Sequence, residues 1–150
     1  MFLLTSIMPR LNLPLPPTFS FTTIIPVRIT DINYGGHAGN DSILSMIHEC
    51  RFQYLHSLGY SELNFENVGL IMGDVAIEFK AEVFYGDQLT AYITAIDFLR
   101  SSFDFYYKFE KASSSGQITV VKAKTGMVCF DYNQKRIVSV PARAKELLQG

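Results

Sequence analysis

Apolar and polar positions change period once along this chain, and the change separates a helix from a run of strands. From Ile43 to Leu58 the apolar residues recur at Ile43, Ile47, Cys50, Tyr54 and Leu58, with Leu44, Met46 and Leu55 beside them. Spacings of three and four predict a helix with a broad buried face; Asp41-Ser42 offer N-cap chemistry and Gly59 a stop. From Asp74 the period falls to two: Val75, Ile77, Phe79, Ala81, Val83 and Tyr85 alternate with Asp74, Ala76, Glu78, Lys80, Glu82 and Phe84. That pattern predicts a strand with one buried face, closed at Gly86-Asp87. Strands are predicted over 88–98, over 102–111 with Phe103, Phe105, Tyr107 and Phe109 on one side, and over 118–131 after a turn at 113–117. A second turn at Asp131–Gln134, a short strand to Val140 and a helix started by Pro141 follow. Ahead of the long helix, Phe21 to Ile29 reads as a short strand in which Pro26 marks an edge or a bulge.

One long helix followed by antiparallel strands, with no βαβ alternation, predicts an α+β domain in which a sheet curls around the helix. The 150 residues suffice for one core. Residues 9–17 hold four of the six prolines, so residues 1–19 read as an extended, mobile Pro-rich arm and 20–150 as the domain. The opening MFLLTSI lacks the basic start and cleavage site of a leader, and Met8 offers an alternative start. No run approaches the roughly 20 apolar residues of a membrane span.

A formal net charge of −1 removes the usual electrostatic argument for nucleic acid. The balance hides an asymmetry. Residues 1–107 carry five basic and eleven acidic side chains, and residues 108–150 carry eight basic and three acidic. The basic part suits an anionic ligand or is an ordinary solvated face. Two cysteines, Cys50 and Cys129, make no disulfide framework, and a cytoplasmic setting is expected.

Candidate chemistry gathers in one loop. Asp31, Asn33, His37, Asn40 and Asp41 fall within eleven residues, with Gly35, Gly36 and Gly39 among them, just ahead of a helix N-terminus. Glycines let backbone approach a ligand, and first-turn N–H groups can hold the oxyanion of acyl transfer. A polar turn that merely caps the helix is the plain alternative. His48-Glu49 begins like a zinc-protease motif, but Phe52 stands at the second ligand position and removes that reading.

The series Asp31-Ile-Asn-Tyr-Gly-Gly36-His37-Ala-Gly-Asn40, then Leu44 and His48-Glu49-Cys50-Arg51, resembles the D-x-D-x-x-G-H-V-N-N … E-E-A-R pattern. That pattern belongs to hot-dog-fold thioesterases of the 4-hydroxybenzoyl-CoA type. The resemblance continues through Tyr85-Gly86-Asp87-Gln88-Leu89 and Arg100-Ser101-Ser102-Phe103 to Val138–Pro141. It implies a long helix wrapped by an antiparallel sheet, a homodimer or homotetramer, and acyl-CoA sites at the subunit interface. It also implies hydrolysis without metal or organic cofactor, coenzyme A being part of the substrate.

The chain departs from the pattern at Asn33, where many members carry a catalytic carboxylate; an amide can orient water but cannot act as base. Other members use a carboxylate about two turns into the helix, which falls on His48 or Glu49. Glu49, desolvated against the sheet, is the preferred base, with an ion pair to Arg51 or another basic group as its structural alternative. Asp31 is the second carboxylate candidate. By the resemblance, His37 orients water or thioester and Asn40 gives its backbone N–H to the carbonyl, with Gly36 and Asp41 lining the site. Arg100, Ser101 and Ser102 are the implied contacts of the CoA phosphates, supplemented by Lys122 and Lys124 unless these belong to a solvated edge strand. Cys50 lies on the apolar stripe and reads as core rather than nucleophile, and Asp74 reads as a solvent-face residue, with entry into a partner's site as the alternative. The alternatives are an acyl-CoA binding protein without catalysis and an enzyme of carrier-protein thioesters.

Overall fold

Helix α1 (Asn40–Ser57) forms where the apolar spacing places it, burying Ile43, Met46, Ile47, Cys50, Tyr54 and Leu55 along one stripe. The computed structural model describes residues 10–150; residues 1–9, including Met8, lie outside the described residues. Around α1 runs a six-stranded antiparallel sheet: β1 (Phe21–Pro26), β2 (Gly69–Phe79), β3 (Gln88–Ile96), β4 (Ser102–Ser113), β5 (Gly116–Asp131) and β6 (Arg136–Ile137). Its order is β1-β3-β4-β5-β2, with β6 beside the end of β5. Helix α2 (Ala142–Gln149) closes one end, burying Ala144 and Leu148. This is the α+β hot-dog arrangement that the period change and the resemblance led us to expect.

Alternation along β4 sends Phe103, Phe105, Tyr107 and Phe109 inward, all fully buried against the helix side. Each such ring contributes about 1.5–3 kcal/mol by leaving water. Pro26, which has no N–H, is the last residue of the edge strand β1 and pairs with Gln88.

Three expectations shift. The helix starts two residues early: Gly39 is its N-cap and Asn40 its first residue, while Asp41 falls inside the first turn. There its carboxylate still suits the positive end of the helix. The alternating stretch does not stay in the sheet to Tyr85. β2 runs Gly69–Phe79, and the chain then crosses toward the helix start, where the Ala38 N–H donates to the Val83 carbonyl at 2.7 Å. The arm is docked over its described part. Leu13 is buried, and its N–H donates to Glu78 Oε1 at 3.1 Å.

Candidate active site

Asp31 ends a single turn of 3₁₀ helix (Ile29–Asp31) and is buried. Its Oδ2 accepts the Arg28 N–H at 2.8 Å, and Arg28 Nη2 lies 3.5 Å from Oδ1. Asn33 turns the chain: its Oδ1 accepts the Gly35 N–H at 2.9 Å, and its carbonyl accepts the Gly36 N–H at 3.1 Å. Gly36 sits at φ +85°, a left-handed conformation that side chains disfavour. The Asn33 N–H closes the loop on the His37 carbonyl at 2.9 Å, and the Gly39 N–H returns to the Asp31 carbonyl at 3.1 Å. These bonds deliver Gly39 to the helix start in extended backbone, φ −72° and ψ 158°.

Among the described residues no side chain caps α1. Its first-turn N–H groups, Asn40 among them, have no intrahelical acceptor and carry the partial positive charge of the helix start. A Cβ on Gly39 would lie 2.6 Å from Asp41 Oδ1, so a side chain there would displace that carboxylate from over the first turn. His37 is half-buried and its Nδ1–H donates to the Ala38 carbonyl at 3.1 Å, which leaves Nε2 as the acceptor of the neutral ring. His37, Asn40, Phe79, Glu82 and Val83 line a recess of about 80 Å³.

The carboxylates share a different cleft. A cavity of about 410 Å³ is lined by Ile25, Pro26, Arg28, Asp31, Ser45, Met46, Glu49 and Gln53. Glu49 is exposed in the single chain rather than desolvated against the sheet, because its face of α1 points away from the buried stripe. Its Oε1 accepts Gln53 Nε2–H at 2.7 Å, and Gln53 Oε1 accepts the Thr23 hydroxyl at 2.6 Å. Nine residues separate Asn40 from Glu49, about 13 Å along the axis at about 1.5 Å per residue. One carbonyl cannot touch both in the same chain.

Arg51 is not the partner of Glu49. It is buried on the apolar stripe, pairs through Nε with Glu62, and donates from Nη1 to Tyr107 Oη at 3.2 Å; Tyr107 in turn meets Thr125 Oγ1 at 2.8 Å. His48 Nε2 reaches the second Glu62 oxygen at 3.1 Å. Burial presses against the Arg51 charge, but Tyr107 and Glu62 outweigh it and raise its pKa. This polar string through the core escaped sequence reading, since its members lie far apart in the chain; the Arg51 of the quoted motif was its only signal. Cys50 is fully buried, and burial pushes its thiol up to about 12, which removes it as a nucleophile.

Arg100, Ser101 and Ser102 lie elsewhere. Pro26 pairs with Gln88 at the start of β3, whereas Arg100 follows the far end of that strand, about 27 Å away at about 3.4 Å per residue. Arg100 Nε meets Ser139 Oγ at 3.4 Å, and the Ser101 and Ser102 carbonyls accept the Cys129 and Leu99 N–H groups. Lys122 and Lys124 are not on an edge strand, because β5 lies between β4 and β2. Lys124 is held by Asp74 at 3.0 Å and Asp104 at 3.5 Å. Asp74 Oδ1 also accepts the Gly126 N–H, and Lys124 chiefly keeps this carboxyl below its ordinary range. Among the described residues no group of His, Cys, Asp and Glu side chains could hold a metal ion.

The fold is a hot-dog arrangement whose long helix starts uncapped beside a glycine-rich loop. Residues 27–148 match the Thioesterase-like superfamily, and the chain belongs to that family. Among solved structures it is similar to a 1,4-dihydroxy-2-naphthoyl-CoA thioesterase from Synechocystis, at 23% identity and TM-score 0.74 over 85% of this chain and 93% of that one. It is also similar to 4-hydroxybenzoyl-CoA thioesterase from Pseudomonas sp. strain CBS-3, at 20% identity and TM-score 0.74 over 87% and 99%. A DHNA-CoA thioesterase from Staphylococcus aureus follows at 15% identity and TM-score 0.73 over 85% and 89%. No curated protein matches the chain by sequence.

Proposed function

We propose that the protein is a homodimeric acyl-CoA thioesterase whose site is shared between two chains. The observation that carries the reading is the uncapped start of α1, together with a carboxylate-lined cleft further along the same helix, in a chain of the Thioesterase-like superfamily. The Asn40 N–H holds the thioester oxygen, and Glu49 of the second copy takes a proton from water as its oxygen adds to the acyl carbon. Collapse of the tetrahedral intermediate breaks the C–S bond, and the departing thiolate takes up a proton, giving free acid and CoA. His37 orients the water or thioester from the loop. Asp31, tied to Arg28, braces it.

Two features support the second copy. The separation of about 13 Å between Asn40 and Glu49 is too long for one substrate carbonyl, so a site that uses both needs one from each chain. β2 pairs only with β5 among the described residues and exposes Ile71, Met72, Val75 and Phe79, an apolar edge that invites strand pairing. Covering by a partner would also supply the desolvation Glu49 lacks alone. The resemblance alone assigns Arg100, with Ser101 and Ser102, to the CoA phosphates; at about 27 Å from the cleft end of their own sheet, they serve it only through the length of the pantetheine arm or from the second copy. No helix among the described residues is long and apolar enough to cross a membrane, and two buried free cysteines suit a reducing cytoplasm.

Asn33 favours a second reading. With its side chain engaged in the turn, the loop offers no carboxylate at that position, and a binding protein would need none. Incubation with a panel of acyl-CoAs, with thiol release followed by a chromogenic reagent, separates the two. Turnover is expected. Saturable binding without thiol release would establish the binding protein, and turnover confined to carrier-protein thioesters would move the substrate class.

A further inference from the structure

The sheet has two faces, and α1 covers only one. On the other, cross-strand register aligns Glu78, Lys122, Lys108, Tyr92 and Thr22 in a single row across β2, β5, β4, β3 and β1. The segment 10–20 lies over this row. Leu13 anchors at the Glu78 end, its N–H on Oε1. Six residues later the Phe19 ring stands 5.8 Å from the Tyr92 ring, and Lys108 Nζ sits over both, at 5.4 and 4.7 Å. Ser20 fastens the exit through its hydroxyl to Thr94 Oγ1 at 2.9 Å and its N–H to the Ile93 carbonyl at 3.1 Å.

Length and composition suit a crossing. Three strand spacings from β2 to β3 span about 14 Å at about 4.8 Å each. Six residues of extended polyproline chain reach about 19 Å, enough for a slightly oblique path. Pro14, Pro16 and Pro17 lack the N–H needed to join a ladder, so the segment lies across the strands instead of lengthening the sheet. Its cover is measurable: Thr94, an outer-face residue, is only 6% exposed and Leu13 only 8%. The segment precedes residues 27–148, the part that matches the family.

We infer that residues 10–20 are a built-in strap that denies the outer sheet face to a second dimer, so that assembly stops at the pair. The face beneath suits a copy of itself. Five strands at about 4.8 Å and nine residues at about 3.4 Å give about 700 Å², near the roughly 800 Å² each partner contributes to a standard interface. Its charges are largely met within the face, by Lys124 with Asp74 and Asp104 and by Lys108 with Glu110. No net sign is left to select an oppositely charged partner, and Tyr92, Tyr106, Val128 and Phe130 supply stacking surface.

The inference does not depend on catalysis, and it takes from the proposed function only the size of the native particle. The test is the mass of full-length protein by light scattering across the micromolar range. The Leu13→Asp/Phe19→Ala double variant should show a two-fold higher mass than native protein, and Tyr106→Asp added to it should restore the native mass. Glu78→Ala, which cuts the Leu13 anchor and leaves every core residue in place, should shift mass the same way and guards against misfolding of the double variant. Amide exchange at Leu13 reports whether the strap is free. Native mass in both variants with Leu13 exchange accelerated would overturn the inference. A monomeric native particle would sink the dimer reading, while the ratio of variant to native mass would still decide the strap.

Discussion

Asn40→Pro is the substitution that reaches the proposed oxyanion donor with least disturbance. Asn40 is the first residue of α1, where an N–H has no intrahelical acceptor, so proline removes the donor without breaking a helix bond. The residue before proline must be extended, and Gly39 already is, at φ −72° and ψ 158°. The roughly 3 kcal/mol cost of a proline inside a helix therefore does not apply, and the thermal midpoint should stay within a few degrees. Loss of one oxyanion-hole donor lowers kcat by about 10²–10³-fold. Asn40→Ala keeps the N–H and should stay within a few-fold of native kcat. Steady-state thiol release from the best acyl-CoA, with unfolding followed by circular dichroism, reads both quantities. A folded Asn40→Pro protein with native kcat would refute the assignment of the helix start.

Glu49→Gln should keep fold and acyl-CoA binding but lower kcat by at least about 10²-fold, with a smaller loss for Asp31→Asn and partial rescue by Asn33→Asp; an active Glu49→Gln beside a dead Asp31→Asn would move the chemistry to the loop. Cys50 should stay silent to thiol reagents in the native protein, since a thiol near 12 is about 10⁻⁴ thiolate at pH 8, and Cys50→Ala should retain turnover; rapid native labelling would contradict its burial. The Leu13 N–H, with Lys80, holds the Glu78 carboxyl below its ordinary 4.5. Strap docking is then fully supported above that value and weakens as pH falls through the lower, folded value. Leu13 amide protection, corrected for intrinsic exchange, should drop between pH 5.5 and 3, and a flat profile would deny Glu78 its anchoring role.

The helix and the central strands were legible because their residues answer to local period. Ile43 to Leu55 keep helical spacing, and Phe103 to Phe109 alternate, whatever lies around them. The start of α1 was not legible. Asp41-Ser42 carry cap chemistry, but the bonds from Ala38 to Val83 and from Gly39 to Asp31 set the helix going at Gly39. β2 ends at Phe79 although alternation runs on to Tyr85, because the chain must climb to the helix start. Arg51 was illegible as a core residue, its partner Tyr107 lying 56 positions away. The arm looked mobile because the carboxylate that holds Leu13 lies 65 positions away. The proposed site follows the same division: motif spacing picks out Asp31 and Glu49, which line one cavity, while the axial rise of α1, which sets Glu49 about 13 Å from Asn40, has no counterpart in the motif.

Mixed dimers test that division of labour most directly. Co-expression of Glu49→Gln and Asn40→Pro chains in equal amounts gives about half mixed dimers, each with one intact and one doubly damaged site. If Glu49 of one chain serves the Asn40 N–H of the other, the mixture recovers about one quarter of native activity, against about 1% or less for either parent alone. A mixture no more active than its parents, with mixed dimers shown to be present by mass, would place both groups in one chain or remove one from the chemistry.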